Sequence, residues 1–408
     1  MTPANEWAAA LPPISERRLA VRVTADAQRR LRAGHPWLFD GSITDQSGPG
    51  APGDLAVVVD AKRAFLAIGL YDPDSPIRVR ILHTGAPTPI DNRFWQARID
   101  AAMALRAPLE PSTTGYRLIN GENDGLGAMI VDRYASVLVV KLYSAAWFPH
   151  LPALVELLGA IPGITGVVLR LARNVASGRT FGLRDGTVLA GEVTDPVLFE
   201  ENGLVFEAAT RSGQKTGHFL DQRDNRRRVG ERSYGKSVLD VFACTGGFAV
   251  HAAAGRASSV HLVDLNPQAL EAARRNLERN PTATTPSAVF TVGDAFTVLE
   301  GLVHERRFFD VVVVDPPSFA KRQDQVVGAL RAYRRLTDLA VRLVEADGWL
   351  VQASCSSRID APTFVDTVTE VASGAGRPFR EVEVTGHGID HPVTFAEGTY
   401  LKAVFARL

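Results

Sequence analysis

The pattern of apolar and polar positions divides the chain into three segments of different character. In the first, short apolar runs such as RLAVRV, DLAVVVD, AFLAIGLYD and PIRVRIL are separated by Gly, Pro and Asp turns, which is typical of β-strands. One short helix is predicted after the first strand, in ADAQRRLRAG. We therefore expect a small, β-rich, barrel-like domain over residues 18–86, and residues 1–17 are expected to be a flexible extension.

The second segment mixes helix and strand patterns. After a Pro-containing linker, the run NRFWQARIDAAMALRA has apolar residues at helical spacing, namely Phe94, Ile99, Met103 and Leu105. Two strand patterns then flank the turn-rich NGENDGLG, and a helix (LPALVELLGA) and a strand (GVVLRL) follow. We predict an α+β middle domain over residues 91–198, in which the sequence shows no catalytic signature.

Strands and helices alternate in the third segment, residues 204–408. Apolar strands such as KSVLDVFA, SVHLVDL and FDVVVVDPP are joined by helical stretches, which indicates a mostly parallel sheet covered on both faces. The last two strands have no helix between them, and this predicts an antiparallel hairpin at the sheet edge. The expected fold class is α/β.

Composition and charge narrow the class of protein. The 408 residues carry 45 basic and 45 acidic side chains, so nothing in the net charge attracts nucleic acid or anionic membranes. No apolar run reaches the ~18 residues of a membrane span, and the first residues do not read as a signal peptide. Two cysteines, Cys244 and Cys355, cannot form a disulfide framework or a four-cysteine zinc site, so a reducing, cytoplasmic location is expected.

Informative residues stand where the strands of the third segment end, which is where ligands bind in open α/β sheets. The first strand contains Asp240, and Gly246 and Gly247 after it permit a tight turn into a helix. The pattern GxGxxG is absent, which disfavours a pyrophosphate cradle. Asp264 lies 24 positions after Asp240, near the offset at which an acid meets ribose hydroxyls. Asp264 or Asn266 would equally serve as a helix cap.

The next strand ends carry two more acids and a thiol. Asp294 can accept a hydrogen bond from an adenine amino group, with Ala295 and Phe296 as an apolar wall, or it caps a helix. Asp315 precedes two prolines, and a carboxylate on such a rigid loop is hard to explain as core. Cys355 ends the neighbouring strand, so it is expected to face Asp315. By itself, Cys355 is as readily a small buried hydrophobe as a nucleophile.

A glycine loop, two strand-end acids and a D-P-P loop in this order resemble the class I S-adenosylmethionine-dependent methyltransferases. More specifically, the chain resembles the bacterial PUA-fused 23S rRNA 5-methylcytosine methyltransferases. The resemblance rests on GHPWLF, YDPDSPIRVRIL, RLINGENDGLGAMIVDRY, QKTGHFLDQRDNRR, DPPSFA, SCSS and DHPVTFAEGTYLK. It spans the chain after about residue 18, and it implies a PUA domain, a middle domain and a Rossmann-like methyltransferase domain.

The resemblance implies an enzyme that makes 5-methylcytosine in 23S ribosomal RNA with S-adenosylmethionine as its cofactor. Cys355 would add to C6 of the base as a thiolate, and Asp315 would contact the N3/N4 edge of the cytosine. The predicted cofactor-binding residues are Asp240, Phe242, Thr245, Gly246, Gly247, Asp264, Leu265, Asn266, Asp294, Ala295, Phe219, Gln222 and Arg223. The predicted contacts to RNA or its base are Pro316, Phe319, Lys215 and Arg226.

Several interpretations of individual residues remain open from the sequence alone. The arginine run at 223–228 is as readily a solvated helix face as a phosphate-binding surface. No cysteine follows the D-P-P motif, which implies a single-cysteine mechanism with an unidentified base for the C5 proton. Cys244 is interpreted as packing. His218, His387 and His391 lack metal-ligand spacing, so no metal is predicted.

Three alternatives to cytosine C5 methylation remain. The first is N-methylation of a guanine in ribosomal RNA, which needs no cysteine. The others, less favoured, are a nicotinamide-dependent oxidoreductase and a noncatalytic RNA-binding factor. No membrane partner is expected, and the sequence leaves a homodimer open.

Overall fold

The computed structural model describes residues 6–281 and 287–408, and its described residues form two compact units. The first unit comprises the residues up to Glu200 together with Ala208–Leu220 and Ile389–Ala396. The second comprises Glu201–Glu207, Asp221–Gly388 and Glu397–Leu408. Among the described helices, none combines the length and the apolar composition needed to cross a membrane.

The N-terminal segment is packed from its first described residues. Helix α1 (Glu6–Ala9) places Trp7 against the core of the first unit, where the indole Nε1 donates to the carbonyl of Leu189 at 2.9 Å. Leu11 belongs to the same core. The expected flexible extension therefore does not describe residues 6–11, because burial of these apolar side chains holds them in place. Residues 1–5 of that prediction lie outside the described part of the chain.

A six-stranded sheet forms from the alternating runs of the first segment. Its strands are β1 (Leu19–Val23), β2 (Trp37–Phe39), β3 (Ile43–Gln46), β4 (Leu55–Val59), β5 (Phe65–Tyr71) and β6 (Ile77–Thr84), in the order β2-β6-β5-β4-β1-β3. Neighbouring strands are antiparallel except β1 and β4. Helix α2 (Ala25–Arg32) begins after Thr24, whose side chain accepts from the Ala27 amide. The strands and the short helix were predicted; the very short β2 and β3 were missed.

The first unit also contains a five-stranded sheet and three helices. The strands are β7 (Gly115–Asn120), β8 (Met129–Tyr134), β9 (Val137–Leu142), β10 (Gly166–Leu171) and β11 (Val188–Gly191), in the order β11-β10-β9-β8-β7. The helices are α3 (Asn92–Arg106), α4 (Leu151–Gly159) and α5 (Arg173–Ala176). The sequence predicted α3, α4 and the strands on either side of NGENDGLG. The second strand pattern after that loop is a hairpin of two strands, β8 and β9.

Helix α3 packs with three of its four predicted apolar residues against the core, together with a buried arginine. Its buried residues are Trp95, Ile99, Ala102 and Arg106, whereas Leu105 is 39% exposed. The fully buried Arg106 guanidinium donates to both carboxylate oxygens of Asp124, at 2.8 and 2.7 Å. Ile99, Phe94 and Met103 contribute to the core as the apolar spacing predicted, whereas the burial of Arg106 depends on its bidentate pair with Asp124.

The second unit is built on a seven-stranded sheet. After the two-stranded ribbon β12 (Val197–Glu201) and β13 (Leu204–Ala208), the strands are β14 (Ser237–Val241), β15 (Ser259–Asp264), β16 (Ser287–Val292), β17 (Phe309–Val314), β18 (Val344–Ser354), β19 (Glu381–Thr385) and β20 (Lys402–Arg407). Their order is β16-β15-β14-β17-β18-β20-β19. The pairs from β16 to β18 are parallel, and β20 is antiparallel to both of its neighbours. This arrangement confirms the predicted parallel sheet with an antiparallel edge hairpin.

Helices cover both faces of this sheet. They are α6 (Arg223–Glu231), α7 (Gly247–Ala254), α8 (Pro267–Glu278), α9 (Ala295–His304), α10 (Val326–Leu343) and α11 (Ala361–Gly374). Alternate residues of β17 belong to different hydrophobic clusters, Val312 and Val314 to one and Val311 and Val313 to the other. The continuous apolar run is thus buried on both sides, and partial exposure begins at Asp315, where the strand ends.

Candidate active site

The loop after β14 has an unusual backbone. Phe242, Cys244 and Gly246 have φ angles of 64°, 48° and 76°, so two residues other than glycine adopt the left-handed conformation. Such strain persists only where surrounding structure enforces it, and it concentrates at functional sites. A Cβ on Gly246 would lie 2.7 Å from the Ala273 Cβ, so glycine is required there. The side chain of Asn276 fixes the loop further by donating to the Thr245 carbonyl at 3.0 Å.

Asp264 joins the loops that follow three neighbouring strands. Its Oδ2 accepts from the Cys244 amide at 2.8 Å, and its Oδ1 accepts from the Asn266 amide at 2.8 Å. Its carbonyl accepts from the Gly293 amide at 3.0 Å. Asn266, not Asp264, caps α8 by accepting from the Gln268 amide at 3.0 Å. The carboxylate of Asp264 is therefore placed at the centre of the loops after β14, β15 and β16.

Beside this acid, apolar and acidic side chains remain in solvent. Leu265 is 71% exposed and follows Asp264 directly, so its side chain is accessible to a ligand bound there. Asp294 is exposed and caps α9 by accepting from the Thr297 amide at 3.1 Å, while Ala295 is buried in the first turn of that helix. A ligand with an aromatic ring and hydroxyl groups matches this set of residues.

Asp240 is a buried acid with an unusual pKa. Its Oδ2 accepts from the Ala249 amide at 3.1 Å, whereas Oδ1 is buried without a hydrogen-bond partner among the described residues. Burial raises the pKa of Asp240 to about 7, against the effect of the Ala249 hydrogen bond and with smaller contributions from Asp315 and Asp264. A buried oxygen of this kind beside a strained loop fits the binding of a cationic or donor-rich ligand.

Asp315 is oriented by a chain of side-chain hydrogen bonds, which we call the amide relay. The Thr385 hydroxyl donates to Asn225 Oδ1 at 2.6 Å, Asn225 Nδ2 donates to Gln222 Oε1 at 2.6 Å, and Gln222 Nε2 donates to Asp315 Oδ1 at 2.9 Å. An ionised carboxylate only accepts, so each amide in the relay has one possible orientation. The relay thus fixes how the Asp315 carboxylate points.

Cys355 follows β18 directly and is partly exposed. Its Sγ lies 4.0 Å from the carbonyl oxygen of Pro316, the residue after Asp315. The hydroxyl of Ser356 donates to the Ala320 carbonyl at 2.8 Å, which ties the loop after β18 to the loop after β17. The structure therefore brings together the loops that carry the predicted nucleophile and the predicted base-contacting acid.

Several predicted residues have other roles in the structure. Arg226 was predicted to contact RNA, but it is 3% exposed and pairs through two hydrogen bonds of 2.6 and 2.5 Å with the fully buried Glu201. Arg223, predicted to bind cofactor, is buried and donates to Asp224. Gln222, also predicted to bind cofactor, donates to Asp315, and its contact with the cofactor stays a prediction. The reason is the same in each case, because a buried polar group must find a partner within the fold.

Other predictions stay untested. Lys215 and Phe219 belong to the first unit, where the Lys215 ammonium lies 4.0 Å from the centre of the Phe219 ring. Phe319 is partly buried and meets Tyr333 edge-on at 5.2 Å. His387 accepts from the Tyr400 and Leu401 amides and so shapes the loop before β20. In residues 6–281 and 287–408, no group of three His, Cys, Asp or Glu side chains is placed to hold a metal ion.

Sequence reasoning missed the amide relay and a buried lysine, Lys402, beside the loop of Cys355. Asn225 and Thr385 lie 160 residues apart, so spacing could not connect them. Lys402 did leave a signal, because it interrupts the otherwise apolar strand pattern YLKAVF.

Comparisons with known proteins agree with this geometry. Residues 124–375 match the model of a family described as S-adenosylmethionine-dependent methyltransferase, and residues 21–84 match a PUA-like domain. A Deinococcus radiodurans protein named ribosomal RNA large subunit methyltransferase is 46% identical over 97% of this chain and 99% of its own length. A Photobacterium profundum protein named ribosomal RNA large subunit methyltransferase I is 38% identical over 92% of this chain and 96% of its own length.

Solved structures share the fold. A Streptococcus mutans structure described as a SAM-dependent methyltransferase has a TM-score of 0.79 at 19% identity, and covers 95% of this chain and 100% of that one. A methyltransferase structure complexed with SAH also has a TM-score of 0.79, at 20% identity over 96% of this chain. The predicted fold class is confirmed. The chain belongs to the S-adenosylmethionine-dependent methyltransferase family, with a PUA-like domain at residues 21–84 and S-adenosylmethionine as its cofactor.

Proposed function

We propose that the protein makes 5-methylcytosine in 23S ribosomal RNA in the cytoplasm, with Cys355 as the nucleophile. Relatives named ribosomal RNA large subunit methyltransferase match nearly the whole chain, which supports ribosomal RNA as the substrate. The observation that carries cytosine C5 is the partly exposed thiol of Cys355 on a loop bonded to the loop of Asp315. Neither guanine N-methylation nor hydride transfer needs such a thiol.

The chemistry requires a nucleophile because C5 of cytosine is not reactive enough by itself. The Cys355 thiolate adds to C6, forms a carbon–sulfur bond and moves electron density to C5. When bound, S-adenosylmethionine supplies an electrophilic methyl group and departs as S-adenosylhomocysteine. A base then removes the C5 proton, the carbon–sulfur bond breaks, and the thiolate is regenerated with 5-methylcytosine as product. The identity of that base stays open in this proposal.

Asp315 is proposed to hold the N3/N4 edge of the cytosine. Negative charge builds on the ring as the thiolate adds, and a proton carried on Oδ2 of the Asp315 carboxyl group and passed to N3 would offset it, while Oδ1 still accepts from Gln222. The amide relay supports this role, because Gln222 fixes the direction of the carboxylate. Pro316 and Phe319, on the same loop, are proposed to contact the flipped base.

On the other side of the cleft, Asp264 is proposed to bind the ribose hydroxyls of the cofactor. Exposed Leu265 and Asp294 would face the adenine, and the strained loop from Phe242 to Gly247 would approach the rest of the molecule. Ala295, Thr245, Asn266 and Asp240 complete the proposed site. For Lys215 and Phe219, contact with RNA or cofactor stays a prediction.

Replacement of Cys355 tests the proposal. Cys355→Ala is expected to lower methyl transfer to a 23S RNA fragment by at least about 10³-fold, while the affinity for S-adenosylmethionine, measured by calorimetry, stays within about threefold. Wild-type protein should form a covalent adduct with RNA that contains 5-fluorocytosine, because fluorine at C5 cannot leave as a proton. Cys244→Ala should still form that adduct, which makes it the matched control.

The product is identified by mass spectrometry of digested RNA. If Cys355→Ala methylated RNA at the wild-type rate, covalent catalysis would be rejected and methylation of a guanine nitrogen would become the leading function. Methylated guanosine in the wild-type digest would lead to the same conclusion.

A further inference from the structure

A buried lysine underlies the loop that carries Cys355. Lys402 is the first residue of β20 and is 3% exposed. It pairs with Ser354, the residue before Cys355, in the antiparallel ladder between β20 and β18. Lys402 therefore lies beside the point at which β18 ends and the loop of the proposed nucleophile begins.

The lysine ammonium is bound by backbone carbonyls. Its Nζ donates to the carbonyl of Ser356, to that of Ile359 at 2.5 Å and to that of Tyr400 at 3.2 Å. Two of these three acceptors lie in the loop directly after Cys355. Three acceptors satisfy the three N–H donors of a charged ammonium. The two that lie in the loop after Cys355 fix that loop against the Lys402 side chain.

A buried ammonium is costly, so its presence needs a reason. Apolar residues occupy the positions that follow it, from Ala403 to Ala406, and all of them are fully buried. Lys402 forms no salt bridge within residues 6–281 and 287–408, and its partners are neutral carbonyls. Its positive charge is therefore not neutralised by direct contact with a carboxylate. Because the surroundings have a low dielectric constant, the charge stabilises an anion that forms nearby more strongly than it would in water.

Titratable groups surround this position on several elements. The pKa of Lys402 is lowered to about 8, chiefly by burial, while Cys355 and Asp360 oppose the shift. Asp360 caps α11, and hydrogen bonds from Thr363 lower its pKa, with a smaller contribution from Lys402. On α10, burial raises the pKa of Tyr333, with Cys355 and Asp315 adding to the shift, so its hydroxyl stays neutral. Lys402 thus interacts electrostatically with Asp360 and with Cys355, and Tyr333 interacts with Cys355 from another element.

We propose that Lys402 is a positioning residue that anchors the Cys355 loop and stabilises the thiolate form of Cys355. The inference rests on the proposed function, in which Cys355 is the nucleophile. A thiolate gains reactivity when a cation stands near it, because the cation favours the ionised form at neutral pH. Here the cation lies beneath the loop, held by carbonyls, so it does not block approach of the base.

The reactivity of the thiol toward iodoacetamide tests this inference without any methyl transfer. We would measure the alkylation rate of Cys355 from pH 5.5 to 9.5 by peptide mass spectrometry, with Cys244 as the internal reference. Lys402→Met should slow alkylation at neutral pH about tenfold and displace the pH curve upward, because the charge is lost. Lys402→Arg, which keeps the charge, should restore most of the wild-type curve.

A control separates charge from stability. Val404→Ala on the same strand removes buried methyl groups and lowers the unfolding temperature without any change of charge. Its alkylation curve should coincide with that of the wild type. The inference is overturned if the Lys402→Met curve coincides with that of Val404→Ala. Should Lys402→Met fail to fold, Lys402→Gln serves the same comparison, since it keeps hydrogen-bond donors for the carbonyls and lacks the charge.

Failure of this inference can be distinguished from failure of the proposed function. If Cys355→Ala still methylated RNA, the nucleophile role would fall, whatever the alkylation curves show. If the wild type forms the 5-fluorocytosine adduct but the Lys402 variants leave the alkylation curve unmoved, only the role of Lys402 falls.

Discussion

The loops at the carboxyl ends of the parallel strands in the second unit are fixed by two different kinds of hydrogen bond. On the side of β14, β15 and β16, Asp264 is fixed by backbone amides of Cys244 and Asn266. On the side of β17 and β18, Asp315 is fixed by the Gln222 side chain, and the Cys355 loop by the Lys402 side chain. Backbone donors exist whatever the sequence, whereas side-chain donors must be encoded one by one.

This difference determines which substitutions the cofactor side and the Asp315 side each tolerate. The loop after β14 depends on glycine at its tight position, on one central acid and on the side-chain donor Asn276. A loop held by distant side chains depends on every link in its chain of hydrogen bonds, because a buried donor or acceptor without its partner is costly. We therefore expect the Asp315 side to be the more sensitive to single polar substitutions, and the cofactor side to lose affinity rather than rate.

The largest effect in this comparison is expected for Gln222→Glu. A carboxylate next to Asp315 repels it and breaks the amide relay, so kcat should fall roughly 10²-fold while the affinity for S-adenosylmethionine stays within about threefold. Gln222→Met, which removes the hydrogen bond without adding charge, should lower kcat by about tenfold. Steady-state kinetics and calorimetry separate the two parameters. Loss of cofactor affinity with an unchanged kcat would show that Gln222 binds the cofactor, as its sequence position first indicated.

On the cofactor side, Asp264→Asn is expected to have an intermediate effect. The Cys244 and Asn266 amides donate to different oxygens of Asp264, so in asparagine one of these amides would face the new NH₂ group. The dissociation constant for S-adenosylmethionine should rise about 10- to 50-fold, with kcat at saturating cofactor changed by less than about threefold. Calorimetry measures the first quantity and rapid-quench assays the second. An unchanged dissociation constant would remove Asp264 from the proposed site.

The smallest effect is expected for Asp240→Asn, and it depends on pH. The pKa of Asp240 is about 7 in the folded state and 3.8 in the reference state, so the folded protein binds more protons between these values. Stability therefore falls as pH rises through this window, and the cost is largest above pH 7. Asparagine keeps an acceptor for the Ala249 amide and carries no charge. Its unfolding temperature should exceed that of the wild type by about 2–4 °C at pH 8 and by less at pH 5. An equal gain at both values would contradict the shifted pKa.

The same contrast explains which parts of the fold and of the site could be predicted from the sequence. Strand-end acids, the glycine turn and Cys355 follow short local patterns, so the sheet and the residues at its edge were predictable from periodicity. The roles of Gln222, Arg226 and Lys402 were not, because each is defined by a partner far along the chain. In the sequence, Arg226 is indistinguishable from the other arginines at 223–228. Its structural role follows from its ion pair with the buried Glu201. Local chemistry shows which groups are present, and the fold decides which groups they meet.

Strand β20 runs antiparallel to β18, and this direction determines where Lys402 lies. The parallel strands β17 and β18 deliver Asp315 and Cys355 as they end, whereas the antiparallel β20 delivers Lys402 as it begins. A parallel strand in that place would put its first residue at the opposite edge of the sheet, far from the thiol. A protein engineer who transplants the strip β17-β18-β20 would therefore carry over the thiol, the acid and the lysine, and would have to add Thr385 of β19, with Gln222 and Asn225, to keep the amide relay.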